Sequence, residues 1–381
     1  MKKLLFLFQE CYLRFLYLIR NRNKKSVFFN SFRGQYSDSP RAISEAIHDI
    51  DPSIKLIWRI EDDVEAPDYV LKVHGKHSYK KAQVQADAWV LTNPTQSKGN
   101  FKGKNTFYVQ TWHGDRCFKR IAWAAEETMG GHYRGHDELP DMKDVNLYTA
   151  ASDYGVMQAR DGLHYYGEIQ LLGLPRNDKL VKISDCQEYI DIVRKKMNIN
   201  KGLKILLYAP TFRDNQNTLQ KTDIDLQRIL QILDGKGNEW VCLVRAHSGS
   251  KGLDVLTNGK IIDVTKYGDM ADLLLVADCL LTDYSGCAGD FLLTGKPCIL
   301  AHFDRAEYES KSRTLWFDPD EAGYIIAKNQ KELEEVMEKL DSYDHEAIDK
   351  KVLDFYKTTE TGESAKKTAE RIIEWIKDHH K

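Results

Sequence analysis

"DCLLTDYSGCAGDF", residues 278–291, decides how the chain is read. The apolar run Cys279–Leu280–Leu281–Thr282 suits a buried strand. Asp283–Tyr284–Ser285–Gly286 is a turn, and the residues after it suit a helix. The first N–H groups of a helix have no partner inside it, and its dipole points positive end outward. Ser285, Gly286 and Cys287 would therefore present an anion site. Gly286 and Gly289 allow close backbone approach. The turn is neither a Gly-Lys-Ser/Thr phosphate loop nor a GxGxxG dinucleotide fingerprint. A plain helix cap, with Ser285 as N-cap, is the competing reading.

The same strand-and-turn unit recurs on both sides. "KILLYAPTFRDN" (204–215), "WVCLVRAHS" (240–248), "GKIIDVT" (259–265) and "PCILAHFD" (297–304) complete one block. An earlier block holds "SVFFNSF" (26–32), "IKLIWRI" (54–60), "NTFYVQTWHG" (105–114), "VNLYTAAS" (145–152) and "IQLLGLPRND" (169–178). Between its first two strands, Pro40 sits in the first turn of an amphipathic helix. Strand–helix alternation predicts parallel sheets wrapped by helices, hence an α/β chain of two doubly wound, Rossmann-like domains. The expected boundaries are 26–180 and 200–360, with a terminal helix over 361–381. The length of 381 residues fits two cores. In such folds the ligand lies beyond the carboxyl ends of the strands, here in a crevice between the domains.

That rule selects the candidate residues. In the first block it points to Thr111–Trp112–His113–Gly114. In the second it points to Arg213, to Arg245 and His247, and to Asp283, Ser285 and Gly286. Guanidinium groups fork onto phosphate oxygens. An imidazole can accept a hydroxyl proton or donate to a leaving phosphate. A surface ion pair is the plainer reading of any single arginine, and a structural role that of a lone histidine. Three cationic residues ending strands of one sheet favour a phosphate ester. Arg33, Arg41, Arg116 and Lys119 could guide acceptor phosphates. Asp62–Asp63 has no third ligand spaced for a metal and reads as a solvated turn. No metal is expected.

Bulk properties narrow the class. A formal net charge of −2 gives no basic field for nucleic acid. Seven scattered cysteines without a CxxC pair suit a reducing compartment and no zinc site. Residues 1–25 hold seven Lys/Arg against one Glu. They form an amphipathic helix with an interrupted apolar run and no cleavage site, expected to lie in an anionic membrane interface. Packing on the protein's own core is the alternative.

With these stretches in hand, the chain resembles the CDP-glycerol glycerophosphotransferase family, the teichoic-acid primases and polymerases. The resemblance rests on "FFNSFRGQYSDSPRAI", "QTWHGDRCFKR", "LLGLPRNDKL", "LLYAPTFRDN", "DVTKYGDMADLLLVADCLLTDYSGCAGDFLLTGKPCIL" and "FDRAEYES", in order over roughly residues 27 to 318. It implies a GT-B architecture and transfer of an alditol phosphate, foremost glycerol phosphate, from a CDP-alditol. The acceptor is a hydroxyl of a lipid-linked cell-wall or capsule glycan at the cytoplasmic membrane face, and CMP is released. No cofactor is implied; the CDP-alditol is a co-substrate. His113 matches the family's catalytic histidine, and His247 a second one that meets the donor phosphates. Arg213, Ser285 and Asp290 match donor-contacting or site-shaping positions. Gly286 stands where the family usually has serine, Ser248 where it has proline, and Asp115 where it has threonine. A GT-B nucleotide-sugar glycosyltransferase is the nearest alternative. A sugar-nucleotide epimerase and a catalytically dead scaffold are more distant.

Overall fold

The computed structural model describes residues 2–21, 24–32, 34–94, 100–129, 139–211, 220–221, 223–246, 253–254 and 257–380. The chain divides into two compact units. One comprises Met1–His113, His136–Asp178 and Thr359–Lys381; the other comprises Gly114–Gly135 and Lys179–Thr358.

The first unit is built on a seven-stranded parallel sheet. Its strands are β1 (Ser26–Asn30), β2 (Lys55–Arg59), β3 (Val70–Val73), β4 (Ala88–Leu91), β5 (Phe107–Gln110), β6 (Leu147–Ala150) and β7 (Glu168–Leu171), in the order β3-β2-β1-β4-β5-β6-β7. Val27, Phe28 and Phe29 of β1 and all four residues of β4 are buried, as a sheet covered on both faces requires. Helix α1 (Lys2–Leu18) precedes the sheet, α2 (Asp38–Ile50) follows β1, and α3 (Lys76–Gln85) follows β3. In α2, Ile43 and Ile47 lie one turn apart and are fully buried against the sheet's core.

The second unit carries a six-stranded parallel sheet. Its strands are β8 (Lys204–Ala209), β10 (Trp240–Val244), β12 (Ile261–Asp263), β13 (Cys279–Thr282), β14 (Cys298–Ala301) and β15 (Ile325–Ala327), ordered β12-β10-β8-β13-β14-β15. Two-residue strands β9 (Gln220–Lys221) and β11 (Leu253–Asp254) pair separately. The helix Leu226–Asp234 shows how sequence sets this layer. Asp225 caps it by accepting the Arg228 N–H at 2.9 Å, and Leu226, Ile229, Leu230 and Leu233 bury one face. Counted within its unit, each sheet begins with the Rossmann strand order 3-2-1-4-5-6.

Two boundaries differ from the sequence expectation. The C-terminal helix Ser364–His379, read as a separate element, is part of the first unit: Ala369, Ile372, Ile373 and Ile376 join the core that includes Ile43 and Ile47. Asp178 holds its start, accepting N–H bonds from Ser364 at 3.0 Å and Ala365 at 2.8 Å. Residues 114–129, expected in the first domain, pack with the second unit.

Helix α1 packs one face on the first unit and leaves an apolar face exposed. Leu13, Leu16 and Tyr17 are buried with Val84, against half-buried Phe101, while Leu4, Leu5, Phe8, Phe15, Leu18 and Ile19 are exposed. Glu10 and Arg14 pair at 2.7 Å one turn apart. No helix among the described residues is long and apolar enough to cross a membrane.

Candidate active site

His113 ends the first of the three segments that make up the first unit, exposed in the turn after β5. Its ring lies tilted by 30° against Trp112 with centroids 4.3 Å apart and meets Phe32 in a T-shaped contact at 5.7 Å. The chain then enters the second unit at Gly114. A Cβ on Gly114 would fall 2.4 Å from the Cys117 sulfur, so glycine is required by close approach.

In the second unit the turn after β13 is held from three sides. The Asp283 carboxylate accepts the N–H of Thr211, at the end of β8, at 2.7 Å, and that of Tyr284 at 2.6 Å. His302, at the end of β14, lies with Nε2 3.2 Å from the Asp283 carbonyl and stacks on Tyr284 at 4.5 Å. Burial lowers the basicity of His302, so the neutral ring donates from Nε2 to that carbonyl. Tyr284 in turn stacks on Tyr308 at 3.9 Å. Ser285 Oγ accepts the Cys287 N–H at 3.4 Å, which is the plain cap reading of this serine. The helix that follows, Cys287–Phe291, is short. Burial pushes the Cys287 thiol up to about 11, so it stays protonated at neutral pH.

Arg116 requires a correction. It was expected to guide an acceptor phosphate, but its guanidinium is fully buried within the second unit. It donates to Asp290 Oδ1 at 2.8 Å and to the Gly289 carbonyl at 3.1 Å. A Cβ on Gly289 would lie 2.5 Å from the Arg116 Cβ. Arg116 and Asp290 therefore brace the helix behind the turn. Lys119 forms a backbone bridge to Leu315, and Arg120 stacks over Trp316 at 4.5 Å. Arg41, on α2, pairs with Glu45 at 2.9 Å. Arg33, Arg213, His247 and Ser248 lie outside the described residues.

Arg245, at the end of β10, is the site's most informative cation. Its Nη1 is buried and makes no hydrogen bond to any described residue. Burial draws its guanidinium below the ordinary value, opposed by Asp269 and Asp272 nearby. Asp272 is engaged with Lys179 and with the hydroxyls of Tyr189, at 2.9 Å, and Tyr267, at 3.2 Å. A buried guanidinium nitrogen without an acceptor is costly unless a ligand supplies one. Among the described residues, no cluster of His, Cys, Asp and Glu could hold a metal ion.

Gly286 has a local cause. A Cβ there would sit 2.6 Å from Cys117 Sγ, which thus fills the space between Gly114 and Gly286. Gly286→Ala is expected to cost about 1–3 kcal/mol through overpacking. Cys117→Ala in the same chain should recover most of the loss, read by thermal unfolding. Equal stability of Gly286→Ala and wild type would contradict the crowding.

The model of the CDP-Glycerol:Poly(glycerophosphate) glycerophosphotransferase family matches residues 12–376. The chain belongs to this family. It is 30% identical over 355 residues to the teichoic acid poly(glycerol phosphate) polymerase of Staphylococcus epidermidis, covering 85% of this chain and 48% of that protein. It is 27% identical to the teichoic acid glycerol-phosphate transferase of Staphylococcus aureus, covering 95% of this chain and 96% of that protein. The chain thus spans about half the length of the first relative and nearly all of the second. The solved wall teichoic acid polymerase TagF superposes with a TM-score of 0.83 at 25% identity, covering 98% of this chain and 95% of that one. A UDP-GlcNAc 2-epimerase from Neisseria meningitidis shares the fold alone, at a TM-score of 0.52 and 11% identity. The chain accordingly has two Rossmann-like domains of the GT-B kind.

His302 escaped the sequence reading. It too follows an apolar strand, Cys298–Ala301, but its partner, the Asp283 carbonyl at the end of the neighbouring strand, emerges only from the packing.

Proposed function

We propose that the chain transfers glycerol phosphate from CDP-glycerol to a hydroxyl of a lipid-linked teichoic-acid acceptor and releases CMP. The family match over residues 12–376 carries this reading. The buried Arg245 nitrogen, still wanting an acceptor at the edge of the second sheet, supports it.

In the proposed step His113 takes the proton of the acceptor hydroxyl. The oxygen attacks the glycerol-bearing phosphorus, and the bond from that phosphorus to the CMP phosphate oxygen breaks. The products are a phosphodiester, CMP and a protonated His113. Arg245 would meet the donor phosphates, with Arg213 and His247 assigned to them from the sequence. Ser285 and Gly286 would present backbone N–H groups to the donor, while Asp283 and Asp290 shape the turn. Arg33, Arg41 and Lys119 remain candidate contacts for the acceptor's phosphates. Positioning and charge stabilisation supply most of the rate in such transfers. Donor choice tests the reading. CMP release from CDP-glycerol, above that from CDP-ribitol and with no turnover of a UDP-sugar, is expected. Turnover of the UDP-sugar alone would replace the reading with a glycosyltransferase.

The membrane role belongs to the same proposal. The exposed apolar face of α1, flanked by basic residues, suits the interface of an anionic bilayer at the cytoplasmic side. Changing Leu5, Phe8 and Phe15 together to Glu should lower cosedimentation with phosphatidylglycerol vesicles at least about ten-fold. Undiminished binding would remove α1 from the account.

A further inference from the structure

The first unit places strained backbone around His113. Phe32, just after β1, has φ 34°, and Trp112, just after β5, has φ 51°. Bulky residues rarely adopt positive φ, and each such residue costs about 1–3 kcal/mol. Both strained residues turn an aromatic ring onto the same imidazole.

Neighbouring groups hold this arrangement. The Phe32 N–H donates to Thr92 Oγ1 at 3.3 Å; Thr92 is buried at the end of β4, the strand between β1 and β5. The loop after Phe32 is closed by Gly34 and Gln35 N–H bonds to the Ser31 carbonyl at 2.8 and 2.9 Å. Gly34, at φ 106°, accepts the Glu61 N–H at 3.1 Å, and a Cβ there would crowd Glu61 at the same distance. On the other side the Trp112 N–H donates to the side-chain oxygen of fully buried Gln110 at 2.8 Å, and Gln110 is itself anchored on the Tyr108 hydroxyl at 3.0 Å. Strain held by part-buried hydrogen bonds around an exposed histidine does little for the core. It restricts the ring's orientation.

We propose that Phe32 is a positioning residue for His113: its ring, with that of Trp112, fixes the imidazole in the orientation needed to take the acceptor proton. The inference rests on the assignment of His113 as the base. A misdirected base costs rate in the chemical step and leaves donor binding intact.

The test is a double-mutant cycle on the full chain, with CMP release measured against CDP-glycerol concentration at saturating acceptor. Phe32→Leu should lower kcat about ten-fold with little change in the KM for CDP-glycerol. Phe32→Tyr, which keeps the ring, should stay within about two-fold of wild type. In a His113→Ala background Phe32→Leu should cause no further loss, because its effect passes through the imidazole. Thr92→Val, which removes only the hydroxyl behind Phe32, should lower kcat in the same direction, and it serves if Phe32→Leu does not fold. An unchanged kcat in Phe32→Leu, or the same loss with and without His113, would overturn the inference. Full activity of His113→Ala, or no CMP from wild type, would instead overturn the assignment of the base and the proposed function.

Discussion

His113→Ala is expected to lower kcat for glycerol phosphate transfer about a thousand-fold, within the range typical of a lost general base. The imidazole lies exposed in the turn after β5, outside the buried core of the first unit. The variant should therefore unfold at the wild-type temperature and bind CDP-glycerol with wild-type affinity, since the groups assigned to the donor lie in the second unit. Loss of kcat with retained donor affinity marks a group used in the chemical step. A fall in donor affinity matching the fall in rate would assign His113 to binding instead.

The second large effect concerns stability. Asp290→Ala is expected to destabilise the second unit by about 3–5 kcal/mol, because it removes the carboxylate 2.8 Å from the fully buried Arg116 guanidinium and leaves that charge with Asp115 at 3.8 Å. For a unit of this size the melting temperature should fall by roughly 10 °C. Arg116→Met combined with Asp290→Leu should recover much of that loss, since a well-packed apolar pair avoids desolvating two charges. The double variant would still bind donor less well if the brace fixes the turn. A melting temperature for Asp290→Ala equal to wild type would show that the pair contributes nothing.

These two residues also show what the sequence could and could not reveal. The sheets were legible because parallel strands buried on both faces are written as short continuous apolar runs, such as Val27–Phe29 and Cys279–Leu281. His113 and Arg245 were legible as candidates because both follow such runs at the carboxyl edge. Arg116 was not. It lies in a basic cluster that reads as surface, and its carboxylate is 174 residues away. Gly286 was visible as a departure from the family pattern, but its cause, the Cys117 sulfur, came only with the packing. Likewise the passage from one unit to the other at His113–Gly114 interrupts no periodicity. Strand–helix alternation runs through it, and only tertiary contacts assign residues 114–129 to the second unit. Phe32 was hidden for a related reason: its φ and its contact with His113 depend on Thr92, which enters from another strand.

The central claim is that this family member joins glycerol phosphate to an acceptor hydroxyl at the expense of CDP-glycerol. The most direct measurement follows CDP-glycerol labelled in its glycerol phosphate, with a lipid-linked teichoic-acid acceptor, and counts both products. The account predicts equal amounts of CMP and of acceptor-bound label, both absent without acceptor and both lost in His113→Ala. CMP release without label on the acceptor, or transfer that survives His113→Ala unchanged, would contradict it.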